Sequence, residues 1–107
     1  MKNYKLEVEF CKKALRHYLV EGRYKEGADT IKLLEAKNPK QAKELFLKEC
    51  YALMREMFNG SSSPKPREAL NLIDGVAEHI PKEWKNSLVE KYAHHMTHDL
   101  LKVEIIL

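Results

Sequence analysis

Residues 22–42 read GRYKEGADTIKLLEAKNPKQA, and this stretch decides the fold. Its apolar side chains recur at three- and four-residue steps, as on one face of an α-helix, at Tyr24, Ala28, Ile31 and Leu34. Gly22 can end a preceding helix in the left-handed conformation, because glycine has no Cβ to clash there. Asn38 and Pro39 stop this helix and start the next, since proline is tolerated at the first helical position. We therefore predict a helix over about 24–36, between two others.

The same periodicity predicts four further helices. They run over about 4–21, 39–58, 66–79 and 82–104. The side chains expected to face inward from 66–79 are Ala69, Leu70, Ile73, Val76 and Ala77. Glycine or proline separates each helix from the next, and 60–66 is the only real loop. No stretch alternates with period two in β-branched residues, so no sheet is expected. The sequence predicts one all-α domain over 1–107, built from five antiparallel helices.

Composition limits what such a domain can do. The chain has 107 residues, 44% hydrophobic and 33% charged, with a net charge of +3. A domain of this size leaves little room for the deep cleft of an enzyme. The basic excess is too mild to indicate a nucleic-acid partner by itself. No long apolar run and no secretory signal is present, so we expect an intracellular protein, cytoplasmic or nuclear, that does not bind membranes.

The chain also repeats itself, at two related spacings. A shift of 42 residues superimposes the second helix on the fourth, pairing Glu26 with Glu68, Gly27 with Ala69, Ile31 with Ile73, Leu34 with Val76 and Pro39 with Pro81. A shift of 39 residues superimposes the first helix on the third, pairing Cys11 with Cys50, Leu15 with Met54, Arg16 with Arg55 and Leu19 with Phe58. The difference falls in the serine-rich loop, where an insertion is tolerated.

These residues resemble the tetratricopeptide (TPR) repeat over about 8–81. The spacings of that family's pattern are occupied by Tyr18, Gly22, Tyr24, Gly27, Ile31, Leu34 and Pro39, and again by Ala69, Ile73, Val76 and Pro81. Leu15 and Met54 stand where the family has a glycine in its first helix. The resemblance implies two helical hairpins, over about 4–37 and 39–79, and a capping helix over about 82–104. It also implies that two helices approach closely at the small residues Gly27 and Ala69. The alternative is an irregular five-helix bundle.

The resemblance further implies a groove lined by the first helices of successive hairpins, where basic residues hold acidic peptide tails. The residues carried over into that groove are Lys12, Arg16, Tyr51 and Arg55. The family's clamp for a terminal carboxylate has Asn where Arg16 stands. The alternative interpretation of the same residues is an ordinary solvated charged face.

Three further features of the sequence predict how particular residues are used: the tryptophan, the two cysteines and the apolar end of the chain. Trp84, the sole tryptophan, is expected to anchor the core or to contact a partner. Cys11 and Cys50 lie in apolar stripes and are predicted to be buried thiols rather than a disulfide. The apolar end of the chain, 103–107, is expected to dock on the bundle or to form a homodimer through the last helix.

The most enzyme-like cluster combines His94, His95, His98 and Asp99. His94 and His98 are one helical turn apart and could grip zinc, but no second Cys or His cluster completes a ligand set. The zinc-protease signature also needs Glu where His95 stands. We therefore expect no metal, no cofactor and no catalytic residue.

The sequence thus favours a non-enzymatic helical adaptor that binds another protein or peptide, an acidic segment being the candidate ligand. The first alternative is a nucleic-acid-associated factor that uses Lys12, Lys13 and Arg16. The second alternative is a metal-dependent enzyme at His94 and His98.

Overall fold

The computed structural model describes residues 2–59 and 64–100, and these residues are almost entirely helical. The helices are α1 (Lys2–Val20), α2 (Tyr24–Glu35), α3 (Pro39–Asn59), α4 (Pro66–Ala77) and α5 (Lys82–His95). A π-helical turn, Met96–Leu100, follows α5 where the sequence predicted one unbroken helix. The described residues contain no strand, which confirms the all-α prediction. Residues 101–104 of the predicted last helix lie outside the described part of the chain.

Gly22 ends α1 as the sequence predicted. Its φ is +78°, in the left-handed region that glycine tolerates. Its backbone N–H donates to the carbonyl of Leu19 (3.2 Å), and that of Arg23 donates to the carbonyl of Tyr18 (2.8 Å). These two hydrogen bonds form a Schellman motif, which satisfies carbonyls that the end of a helix would otherwise leave without a donor.

Asn38 joins α2 to α3. Its own N–H donates to the carbonyl of Leu34 (2.9 Å), and its side-chain Oδ1 accepts the N–H of Gln41 (3.1 Å). The second bond caps the first turn of α3, where the early N–H groups have no partner within the helix. Pro39 fills the first helical position, as predicted.

The helix contacts follow a regular order along the chain. Each helix packs against the next one, and α1 also contacts α3, α2 contacts α4, and α3 contacts α5. The central helix is therefore α3, which touches all four others. This order suits both stacked hairpins and an irregular bundle, so the hairpin arrangement stays a prediction.

The core follows the predicted apolar stripes with one correction on α4. Its largest fully buried side chains are Leu15, Ile31, Phe46, Met54, Leu72, Ile73 and Leu88. Leu70 was expected to face inward but is exposed, and Leu72 is buried instead. The reason is angular: successive residues on a helix are about 100° apart, so the arc centred on Ala69 and Ile73 takes in Leu72 and leaves Leu70 outside.

Two glycines lie where helices approach closely. A Cβ on Gly27 would come within 3.3 Å of Leu15, so this residue lies at the close contact between α1 and α2. A Cβ on Gly75 would overlap the ring of Tyr24, which makes Gly75 the tighter contact, between α4 and α2. The sequence pointed to Gly27 and to Ala69, which is fully buried, but gave no indication of Gly75.

Candidate functional site

Arg16 connects α1 to α3 through two carboxylates of the same chain. Its guanidinium lies 2.6 Å from the carboxylate of Glu56 and 3.5 Å from that of Glu49. Only 5% of the Glu49 side chain is exposed, and a buried carboxylate needs a charged partner of this kind. Two acids of the same chain therefore already match the charge of Arg16. Lys12, on the same helix, is exposed.

Three other basic side chains lie around a groove between α3 and α5. A groove of about 420 Å³, here called the α3–α5 groove, is lined by Lys48, Tyr51, Ala52, Arg55 and Asn59 of α3 and by Lys91, His94 and His95 of α5. On each helix these positions recur at three- and four-residue steps, so each set occupies one face. Contact between α3 and α5 brings the two faces together. Of the predicted binding residues, Tyr51 and Arg55 are in this groove, whereas Lys12, Arg16 and Trp84 are not.

The α3–α5 groove is positively charged. None of the described residues that line it is acidic. Within the described part of the chain, Lys48, Arg55 and Lys91 form no ion pair. Three cationic side chains thus border one concave surface, and a nearby anion would be attracted by all three.

Tyr51 forms the flat wall of this groove. The Nζ atom of Lys91 lies 5.5 Å from the centroid of its ring, at cation–π distance. Burial raises the pKa of the Tyr51 hydroxyl, although its hydrogen bond with Ser87 acts in the opposite direction. The phenol therefore stays protonated at neutral pH and presents an apolar ring with a polar tip.

The histidine cluster is divided between the core and the surface. His95 is buried and stacks on Phe58, with ring centroids 4.8 Å apart and planes 11° from parallel. His94 lines the groove, and its ring centroid lies 4.2 Å from that of His98. Among the residues whose side chains are described, which exclude Asp99, no three His, Cys, Asp or Glu side chains come together as a metal site.

The remaining candidates belong to the core. Cys11 and Cys50 are both buried and free, as predicted. Burial raises the pKa of both thiols, and near Cys11 the carboxylate of Glu7 adds to the effect. Trp84 is buried, and its ring lies 5.4 Å from that of Phe46, so little of it is left for a partner to contact. Its role as a core anchor is the one that the packing supports.

Lys48, Lys91 and His94 were not predicted to be neighbours of Tyr51 and Arg55. One signal was available, since Lys48, Tyr51 and Arg55 recur at three- and four-residue steps on one helix. The groove residues on α5 could not be predicted from the sequence, because their place in the groove depends on which helix packs beside α3.

Comparison of this chain with known protein families, with curated proteins and with solved structures finds no match. The resemblance to tetratricopeptide repeats therefore rests on the quoted residues alone. No helix in the described part of the chain is long and apolar enough to cross a membrane.

Proposed function

We propose that this chain is a non-enzymatic helical adaptor that binds an acidic segment of another protein in the α3–α5 groove. The observation that supports the proposal is a concave surface with three cations that form no ion pair with a described residue. None of the described residues that line it is acidic. The tetratricopeptide-like arrangement of two hairpins is the architecture that we propose for it. The contacts of α1 with α3, α2 with α4 and α3 with α5 are compatible with that arrangement and equally with an irregular bundle, so the proposal of hairpins rests on the repeat in the sequence.

The groove offers complementary ways to hold a carboxylate-rich segment. Arg55 can grip one carboxylate with two parallel hydrogen bonds. Lys48 and Lys91 add flexible point charges on the two sides of the groove. Tyr51 supplies flat apolar area and loses little conformational freedom on binding, because its side chain has only two main torsions. A ligand in the groove also excludes water, which strengthens each charged contact.

An acidic peptide fits these features better than a nucleic acid. The excess of basic over acidic residues is only +3 for the whole chain. Arg16, a member of the basic face expected to bind nucleic acid, is held by two carboxylates. A local basic groove on a nearly balanced surface favours a short acidic ligand over a long polyanion that contacts many cations.

The test is the binding of a fluorescent peptide rich in Glu and Asp, measured by anisotropy. The control ligand replaces each acid by its amide. Arg55→Glu combined with Lys91→Glu should abolish binding, whereas Lys85→Glu, an exposed charge reversal on the same α5 outside the groove, should preserve it.

Equal binding by both variants would contradict the proposal. A labelled single-stranded RNA serves as a second probe. If the RNA binds through Arg55 and Lys91 with a steep salt dependence while the peptide does not bind, the nucleic-acid alternative replaces the adaptor.

A further inference from the structure

A second groove lies between α1 and α2, and large apolar side chains surround it. Leu6 (68%), Phe10 (70%) and Leu33 (70%) are the most exposed large hydrophobic side chains that the structure describes. All three line one groove of about 480 Å³, here called the α1–α2 groove, together with Glu7, Cys11, Leu34 and Lys37. Single exposed apolar residues are ordinary on protein surfaces, but three around one concavity mark an interaction surface.

The charges at this groove limit what can cover it. Glu7 and Lys37 both line it, about half of each side chain is exposed, and Lys37 Nζ lies 2.6 Å from Glu7 Oε2. A strongly acidic partner would leave Glu7 facing a like charge, and a strongly basic partner would do the same to Lys37. The best-matched partner carries an apolar centre with one acid and one base beside it.

The surface itself meets that description. In a contact with two-fold symmetry, the same patch of each copy faces that of the other. If residue i of the first copy contacts residue j of the second, then residue j of the first also contacts residue i of the second. Glu7 of each copy can then pair with Lys37 of the other, and the exposed ring of Phe10 can enter the opposite groove. The patch is therefore complementary to itself in charge and in polarity.

We propose that a second copy of this chain docks on the α1–α2 groove to form a two-fold dimer. This face differs from the homodimer expected through the last helix, whose end at 103–107 lies outside the described residues. The α1–α2 and α3–α5 grooves share no lining residue, so the dimer does not depend on the proposed peptide site. Failure of either proposal leaves the other standing.

The first test is sedimentation velocity of the purified chain over a wide range of concentration. We expect a species of twice the 12.5 kDa chain mass that dissociates on dilution. Phe10→Glu with Leu33→Glu should give a monomer, because each dimer would then bury four carboxylates. Val20→Glu is the matched control: Val20 lies on the same helix with 67% exposure but outside the groove, so its variant should remain a dimer.

The second test exchanges charges between copies. Glu7→Lys and Lys37→Glu should each lose the dimer when alone, since every cross-pair is then repulsive. Mixing the two variants should restore a mixed dimer, because each lysine then meets a glutamate of the other chain. If Glu7 and Lys37 pair only within one chain, mixing the two variants should not restore a dimer.

Three results would overturn the dimer. The first is a wild-type chain that is monomeric at every concentration. The second is a Val20→Glu variant that loses the dimer as completely as Phe10→Glu with Leu33→Glu. The third is a mixture of the Glu7→Lys and Lys37→Glu variants that forms no mixed dimer. A monomer that instead captures a different protein through Phe10 would also replace the proposal.

Discussion

Arg16 contributes to stability mainly because it neutralises the buried carboxylate of Glu49. Glu49 is buried in α3, and the described cation nearest to it is Arg16 on α1. Removing that cation leaves a carboxylate with poor hydration and no opposite charge, which is far more costly than losing an exposed pair.

We therefore expect Arg16→Ala to lower the free energy of unfolding by about 1–3 kcal/mol, measured by urea denaturation. Arg55→Ala is the control, because Arg55 is exposed and forms no ion pair with a described residue; its effect should stay within about 0.5 kcal/mol. Adding Glu49→Gln to Arg16→Ala should recover part of the loss. Equal stability of the Arg16→Ala and Arg55→Ala variants would show that the ion pair does not contribute to stability.

At the scale of elements, the packing of α4 on α2 depends on the absence of a side chain at Gly75. An alanine would gain about 1 kcal/mol of helix propensity in an open site. Here its Cβ would overlap the ring of Tyr24, which would have to move out of its packed position.

We expect the overlap to dominate and Gly75→Ala to destabilise the domain by about 1–3 kcal/mol in urea denaturation. Gly27→Ala provides a graded comparison, because its nearest neighbour at 3.3 Å is the end of the flexible Leu15 side chain; its effect should be smaller. Tyr24→Ala should make the Gly75→Ala change harmless. A Gly75→Ala variant more stable than wild type would show that α4 can shift away at little cost.

Helix boundaries could be predicted from the sequence because they are local. Gly22, Asn38 and Pro39 act on residues within one turn of themselves, Asn38 through its side-chain Oδ1, so the helix ends can be predicted from a short window of sequence. The neighbour of each face could not be predicted in this way. Arg16 was expected in an open groove because nothing in its own helix indicates Glu49 and Glu56 across the contact with α3.

Only part of the candidate site could be predicted from the sequence, for the same reason. Tyr51 and Arg55 share a helix face, which periodicity indicates. Their neighbours Lys91 and His94 come from α5, and the two faces meet only through the packing of α5 on α3. Gly75 was missed because its tight contact is with the distant Tyr24.

At the scale of the whole molecule, the two proposed surfaces use different parts of one helical domain. The α1–α2 groove lies on the first pair of helices, and the α3–α5 groove includes the central helix. A dimer through the first groove would carry two copies of the second. A partner with two acidic segments could then bind both at once, with an apparent affinity above that of either site alone.

The reactivity of Cys11 and Cys50 can show how the helices separate from one another. Cys50 lies in α3, which touches all four other helices, whereas Cys11 lies on α1 and lines the α1–α2 groove. Burial raises the pKa of both, so at neutral pH the native chain holds little of the reactive thiolate. Both side chains are also buried, so reaction with a thiol reagent requires an opening of the structure. The size of that opening sets how strongly the rate depends on denaturant.

We expect Cys50 to react only when the whole domain unfolds, because exposing it means removing α3 from all of its neighbours. Cys11 needs only a partial separation of α1 and α2, so it should react faster and with a weaker dependence on denaturant. Cys11→Ala and Cys50→Ala leave one thiol each, and their labelling kinetics in increasing urea measure the two openings separately. Identical rates and slopes would mean that α1 does not open independently of the core. If the second copy covers the α1–α2 groove, the reaction of Cys11 should also slow as protein concentration rises, while that of Cys50 follows global stability, including whatever stability the dimer adds.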